Sequence, residues 1–137
     1  MTEPRPTILS RLDVERLQPL VMVAAFRASD PGLDIIDEKL SGGEVVRPHH
    51  VPPNVVTMNS RVLISHSTPE TYREVRLAYP SEANALTDSV SVFSQLGAAL
   101  LGARVGDVVR VGSPGHERLV HIAAIVYQPE AARDWHL

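Results

Sequence analysis

Histidines, a cluster of carboxylates and a few serines are the residues in this chain with chemistry to offer. His49 and His50 are adjacent, so in an extended segment they point to opposite sides and do not converge on one metal. A third ligand would have to come from His66, His116 or His121, and no HxH or HExxH spacing exists. These read as ordinary surface or linker histidines, and no metal is expected. Ser60, Ser94 and Ser113 sit in no GxSxG elbow, and no Ser-His-Asp order suggests itself. The glycine stretches GGE (Gly42–Glu44) and GARVGD (Gly102–Asp107) match neither a phosphate loop nor a dinucleotide fingerprint. There is no cysteine, which excludes disulfides and thiolate chemistry. No catalytic residue and no cofactor are expected.

The acids need a separate account. Asp30, Asp34, Asp37, Glu38 and Glu44 surround Lys39, the only lysine, giving a local charge of about −4. Asp34 lies three residues before Asp37 and four before Glu38, so on a helix these acids share one face. Carboxylates paired at a hairpin tip could hold Mg²⁺ weakly, with waters retained. The plainer account is a solvated helix face whose acids sit near the favourable N-terminal dipole.

Several elements must position these groups. Residues 1–8 read as an unstructured lead. Ser10 is placed as an N-cap with Asp13 at capping-box spacing, and Leu9 and Val14 as a hydrophobic staple. Leu12, Leu17, Leu20, Val21 and Ala24 then fall on one broad helical face. Pro19 either kinks this helix or restarts it after a short first turn capped by Asp13. A second helix is expected from Asp30-Pro31 to about Leu40, ended by Gly42 or Gly43, with Leu33, Ile36 and Leu40 as its apolar stripe. So short a connection predicts an antiparallel helical hairpin over residues 1–46, a short coiled-coil-like arm. RPHHVPPN (Arg47–Asn54) has three prolines in eight residues and reads as the linker.

From residue 55 to 137 the pattern is mostly period two. Strands are expected at Val55–His66, Thr71–Tyr79, Ser89–Phe93, Asp107–Val111 and Arg118–Tyr127, with turns at Thr68-Pro69 and at Ser113–Glu117. Ser94 should cap a short helix through Leu101 that Gly102 stops. The fold class is therefore α+β, an N-terminal helical hairpin followed by an antiparallel sheet packed on a short helix.

Composition bounds the partners. At 137 residues, 44% hydrophobic and 21% charged, the chain reads as an ordinary globular protein with one core. Net charge is −3 and the arginines are scattered, so direct nucleic-acid binding is not expected. No apolar run approaches the roughly 18–20 residues that cross a bilayer. The N-terminus lacks the pattern of a signal peptide. A cytoplasmic location without membrane contact is expected, and the oligomeric state is left open with a monomer favoured.

Three blocks carry a resemblance: VVTMNSRV (Val55–Val62), GAALLGARVGD (Gly97–Asp107) and YQPEAA (Tyr127–Ala132). In that order they resemble the C-terminal domain of the Rnk family, the regulators of nucleoside diphosphate kinase, within the GreA/GreB superfamily. The resemblance covers roughly Val51–Ala132. It implies an FKBP-like sheet packed on a helix, and RNA polymerase as partner at the rim of the secondary channel. In Gre factors a long coiled coil threads that channel and presents acids to the catalytic Mg²⁺. This chain lacks the Gre acidic tip motif, of the DLSEN type, and a helix of about 17 residues spans only about 25 Å. Transcript cleavage is therefore not expected. The Gre contact segment, acid-Ser-Pro, corresponds to Phe93, Ser94 and Gln95, and with Leu96 these are the candidate polymerase contacts. The candidate acidic hairpin is Asp30, Asp34, Asp37 and Glu38. Two other functions stay open: a Gre-like factor using those acids with Mg²⁺, and a peptidyl-prolyl isomerase suggested only by the fold.

Overall fold

A computed structural model of the chain describes residues 7–27, 30–66, 71–84, 87–112 and 115–134. The expected turn at Thr68-Pro69, and Ser113 and Pro114 of the last turn, lie outside them. Two helices come first: α1 (Arg11–Arg27) and α2 (Leu33–Gly42). They are flanked by two short strands, β1 (Ile8–Ser10) and β2 (Glu44–Val46), which pair in parallel. The body follows as β3 (Arg61–His66), β4 (Tyr72–Ala78), β5 (Ser89–Ser91), α3 (Gln95–Leu100), β6 (Val108–Val111), β7 (Arg118–Tyr127) and α4 (Pro129–Ala132). Among the described residues no helix is long and apolar enough to cross a membrane.

Pro19 neither breaks nor restarts α1, which runs through it. Pro19 is exposed, so the carbonyl left without its helical donor lies on the water side. Val14, Leu17, Val21 and Ala24 are buried as the spacing requires, whereas Leu20 is partly exposed. The second helix starts later than expected. Asp30 is exposed and gives its carbonyl to the Leu33 amide, and Gly32 takes the N-cap position with no side-chain cap. Packing decides this: the Gly32 amide donates to the Phe93 carbonyl at 2.8 Å. A Cβ on Gly32 would stand 2.4 Å from the Ser94 carbonyl oxygen.

That contact seats the expected hairpin against the body. The hairpin does not stand clear of the body, because α2 is seated along α3. Lys39, read from sequence as the lone cation among acids, turns inward and donates to the Ala98 and Leu101 carbonyls, each at 2.6 Å. These are orphan carbonyls at the end of α3, where a cation is favoured. Burial lowers the Lys39 pKa to about 8, which leaves it charged at neutral pH. Lys39→Ala is expected to cost about 1–3 kcal/mol by stranding those carbonyls, a loss that urea unfolding at pH 7 would measure.

The main sheet has the order β5-β4-β3-β7-β6. Its inward residues, among them Val62, Ile64, Val75, Leu77, Val120 and Ile122, join Leu17, Ile36, Phe93 and Leu100 in one core. The alternation along β4 and the full span of β7 follow the sequence pattern. Two expectations fail. Val55–Ser60 is not strand but a buried turn, with Asn59 at φ 65°. The sheet is also not wholly antiparallel, since β5 pairs with β4 in parallel. The chain leaves β4 through a 3-10 turn at Pro80–Glu82 before β5 pairs beside β4, as a parallel pair requires a connection that returns to the same end of the sheet.

Candidate functional site

The three sequence blocks quoted above meet in space. The Val56 amide donates to the Ala103 carbonyl and the Gly102 amide to the Val56 carbonyl, both close to 2.9 Å. Gln128 Nε2 donates to the Val55 carbonyl at 2.7 Å and to the Pro52 carbonyl at 2.8 Å. Thr57 Oγ1 donates to Glu130 Oε1 at 2.6 Å. That spends the single hydroxyl hydrogen of Thr57, so in the 2.9 Å contact between Thr57 Oγ1 and Ser60 Oγ the serine is the donor. The Ser60 hydroxyl in turn accepts from the Thr57 amide.

Helix α1 enters the same joint. Asp13, 2% exposed, turns its carboxylate inward and accepts from the Met58 amide at 3.0 Å. The capping box expected at Ser10 and Asp13 is therefore corrected. Ser10 Oγ is buried without a partner, and Asp13 serves a backbone amide 45 residues away. Leu9 and Val14 do both enter the core, as a staple requires. Burial is the main force raising the Asp13 pKa to about 7; the Met58 bond and Arg16 oppose it, and Glu130 adds to it. Tyr79, packed beside this joint, is pushed up to about 12, first by burial and then by Asp13. Sequence reasoning missed Asp13, Thr57, Gln128 and Glu130 as partners. The available signal is that Thr57, Asn59 and Ser60 interrupt an otherwise apolar run at the start of the expected strand Val55–His66.

The candidate contact segment lies at the start of α3. Ser94 caps that helix as expected, its Oγ accepting from the Gly97 amide at 3.0 Å and donating to the Ser91 carbonyl at 2.6 Å. Phe93 is 4% and Leu96 8% exposed, and both belong to the core. Neither is an exposed anchor: both side chains pack into the core, and the Phe93 carbonyl is taken by the Gly32 amide. Ser94 and Gln95 retain partial exposure.

Asp30, Asp34, Asp37 and Glu38 are all exposed. Among the described residues, no group of three or more His, Cys, Asp or Glu side chains is placed to hold a metal. His49 and His50 lie in a 3-10 turn, Pro48–His50, with ring centroids 4.1 Å apart.

Comparison with known proteins agrees with this arrangement. The family described as "Transcription elongation factor, GreA/GreB, C-term" matches residues 51–127, which contain the first two blocks and end on Tyr127, the first residue of the third. The chain is 37% identical over 133 residues to "Regulator of nucleoside diphosphate kinase" of Escherichia coli (strain K12), covering 96% of this chain and 97% of that one. It is 27% identical over 93 residues to "Transcription elongation factor GreA" of Beijerinckia indica, covering 68% of this chain and 59% of that one. A solved structure, "Prokaryotic transcription elongation factor GreA/GreB from Nitrosomonas europaea", superposes with a TM-score of 0.76 at 33% identity, covering 88% of this chain and 99% of the other. Matched along nearly its whole length to one branch and through residues 51–127 to the superfamily, the chain belongs to the regulators of nucleoside diphosphate kinase within the GreA/GreB family.

Proposed function

We propose that this protein binds RNA polymerase near its secondary channel and regulates transcription without cleaving the transcript. The observation that carries this reading is the seat of the hairpin. A 17-residue α1 is about 25 Å long, and α2 is tied to α3 through Gly32 and Lys39. Such a hairpin has neither the length nor the freedom to bring carboxylates to a distant catalytic Mg²⁺. The sheet and α3, which we take as an FKBP-like body over residues 55–137, supply the docking unit, and residues 1–46 and 47–54 its hairpin and linker. Within it, Ser94 and Gln95 are the accessible part of the contact segment, and Phe93 and Leu96 hold its shape from beneath. The chain acts as a non-enzymatic competitor for the site that Gre factors occupy.

Asp30, Asp34, Asp37 and Glu38 act in this account as a solvated face. The variant with Asp34, Asp37 and Glu38 all changed to alanine is expected to bind core polymerase within about twofold of the parent, since isolated exposed charges contribute little. A backtracked elongation complex incubated with the parent protein and Mg²⁺ is expected to release no cleaved transcript. Stimulated cleavage that the triple variant abolishes would support the Gre-like reading instead.

A further inference from the structure

We propose that the outward face of the sheet around Arg61 and Arg76 is a docking site for an acidic segment of a protein partner. The two residues are direct cross-strand partners in the β3–β4 ladder, which sets their Cα atoms roughly 5 Å apart and their side chains on one face. Like charges directly opposite each other destabilise a sheet, so a fold that keeps them there spends stability on something else. Arg11 pairs with Glu15 and Arg73 with Asp88, and neither ion pair involves Arg61 or Arg76.

The site is partly built in advance. Arg76 Nε donates to Ser89 Oγ at 3.2 Å, which orients the guanidinium and leaves its two outer nitrogens for a carboxylate fork. Arg73, held by Asp88 at 3.2 Å, closes one side of the same 700 Å³ groove. Tyr72, 56% exposed, adds an aromatic surface in that groove. Glu74 shares the outward face, opposite Leu63, and is in neither of the ion pairs above.

Charge decides the occupant. A nucleic acid is gripped by a track of many cations, whereas this chain has one lysine and a net charge of −3. Two adjacent guanidiniums and an aromatic ring instead match a short protein segment carrying two neighbouring carboxylates. This inference rests on the proposed function in taking RNA polymerase as the protein that presents the segment.

The test measures binding of the full chain to core RNA polymerase at low and high salt, for the parent, Arg61→Gln/Arg76→Gln and Arg61→Lys/Arg76→Lys. The double Gln variant is expected to bind at least tenfold more weakly, to lose much of the salt dependence, and to melt at the same or a higher temperature. The double Lys variant should recover part of the affinity. Equal affinity and equal salt dependence for parent and double Gln variant would overturn this inference and leave the proposed function standing. Absence of polymerase binding by the parent would remove both. A single-stranded RNA oligonucleotide that displaces polymerase from the parent, but not from the double Gln variant, would identify a phosphate site and overturn the acidic-segment assignment.

Discussion

Stability is expected to fall as pH rises from 5 to 7, and Asp13→Asn is expected to remove most of that slope. Asp13 is buried, and its pKa is raised from the ordinary 3.8 to about 7. Between those values the folded protein holds a proton that the unfolded chain has released. Stability contributed by the protonated acid is full below pH 3.8, and it is lost as pH climbs toward 7. The slope approaches about 1.4 kcal/mol per pH unit, so the two variants should diverge by on the order of 2–3 kcal/mol over this range.

Asparagine keeps an oxygen for the Met58 amide and carries no charge to bury, so at pH 8 Asp13→Asn should be as stable as the parent or more so. Asp13→Ala strands that amide and should be about 1–3 kcal/mol less stable than Asp13→Asn at every pH. Urea unfolding of the three proteins at pH 5, 6, 7 and 8 checks this. A pH profile shared by the parent and Asp13→Asn would show that Asp13 is not the buried acid described here.

Gly97→Ala is expected to be the most damaging single methyl addition in the protein. A Cβ at Gly97 would lie 1.9 Å from the Ser91 carbonyl oxygen, 2.7 Å from the Ser91 carbonyl carbon and 3.0 Å from Val92 Cα. All three are backbone atoms, so no side chain can swing away, and α3 would have to lift from the segment that leads into it. Overpacking of this kind costs about 3 kcal/mol or more. Gly32→Ala meets the Ser94 carbonyl at 2.4 Å at the other surface of that turn. Its effect should centre on the seat of the hairpin. Thermal unfolding reads the first substitution. Hydrogen exchange in α2, set against exchange in β3 and β7, reads the second. A Gly97→Ala protein that melts within a degree or two of the parent would mean that α3 is packed differently.

The sequence pattern was most informative where structure is local. Ser94 as a helix cap, the end of α2 at Gly42, the alternation of β4 and the whole of β7 depend on neighbours a few residues apart. Pairing between distant segments leaves no such periodicity. The β1–β2 ladder joins Ile8–Ser10 to Glu44–Val46, and nothing in either triplet alone marks it as strand. Asp13 shows the same limit at one residue. Its spacing from Ser10 fits a capping box, but the Met58 amide, fixed by the Thr57–Ser60 turn, wins it.

Site residues were legible to different degrees for the same reason. Phe93 is aromatic and follows a short strand, a pattern that suits an interface as well as a core. Only the packing of the folded chain decides for the core. The opposition of Arg61 and Arg76 exists only once the β3–β4 register is known. Family resemblance pointed to the right family, yet the task the three blocks share, closing one polar joint beneath the hairpin, is a property of the folded chain.

Competition for core RNA polymerase against a Gre factor puts the central claim to its most direct test. The proposed function predicts that this protein displaces the Gre factor at micromolar concentration and suppresses Gre-stimulated cleavage in proportion, with no cleavage of its own. If the two proteins occupy polymerase together, or if this chain leaves a preformed Gre complex untouched at any concentration, the shared docking site does not exist.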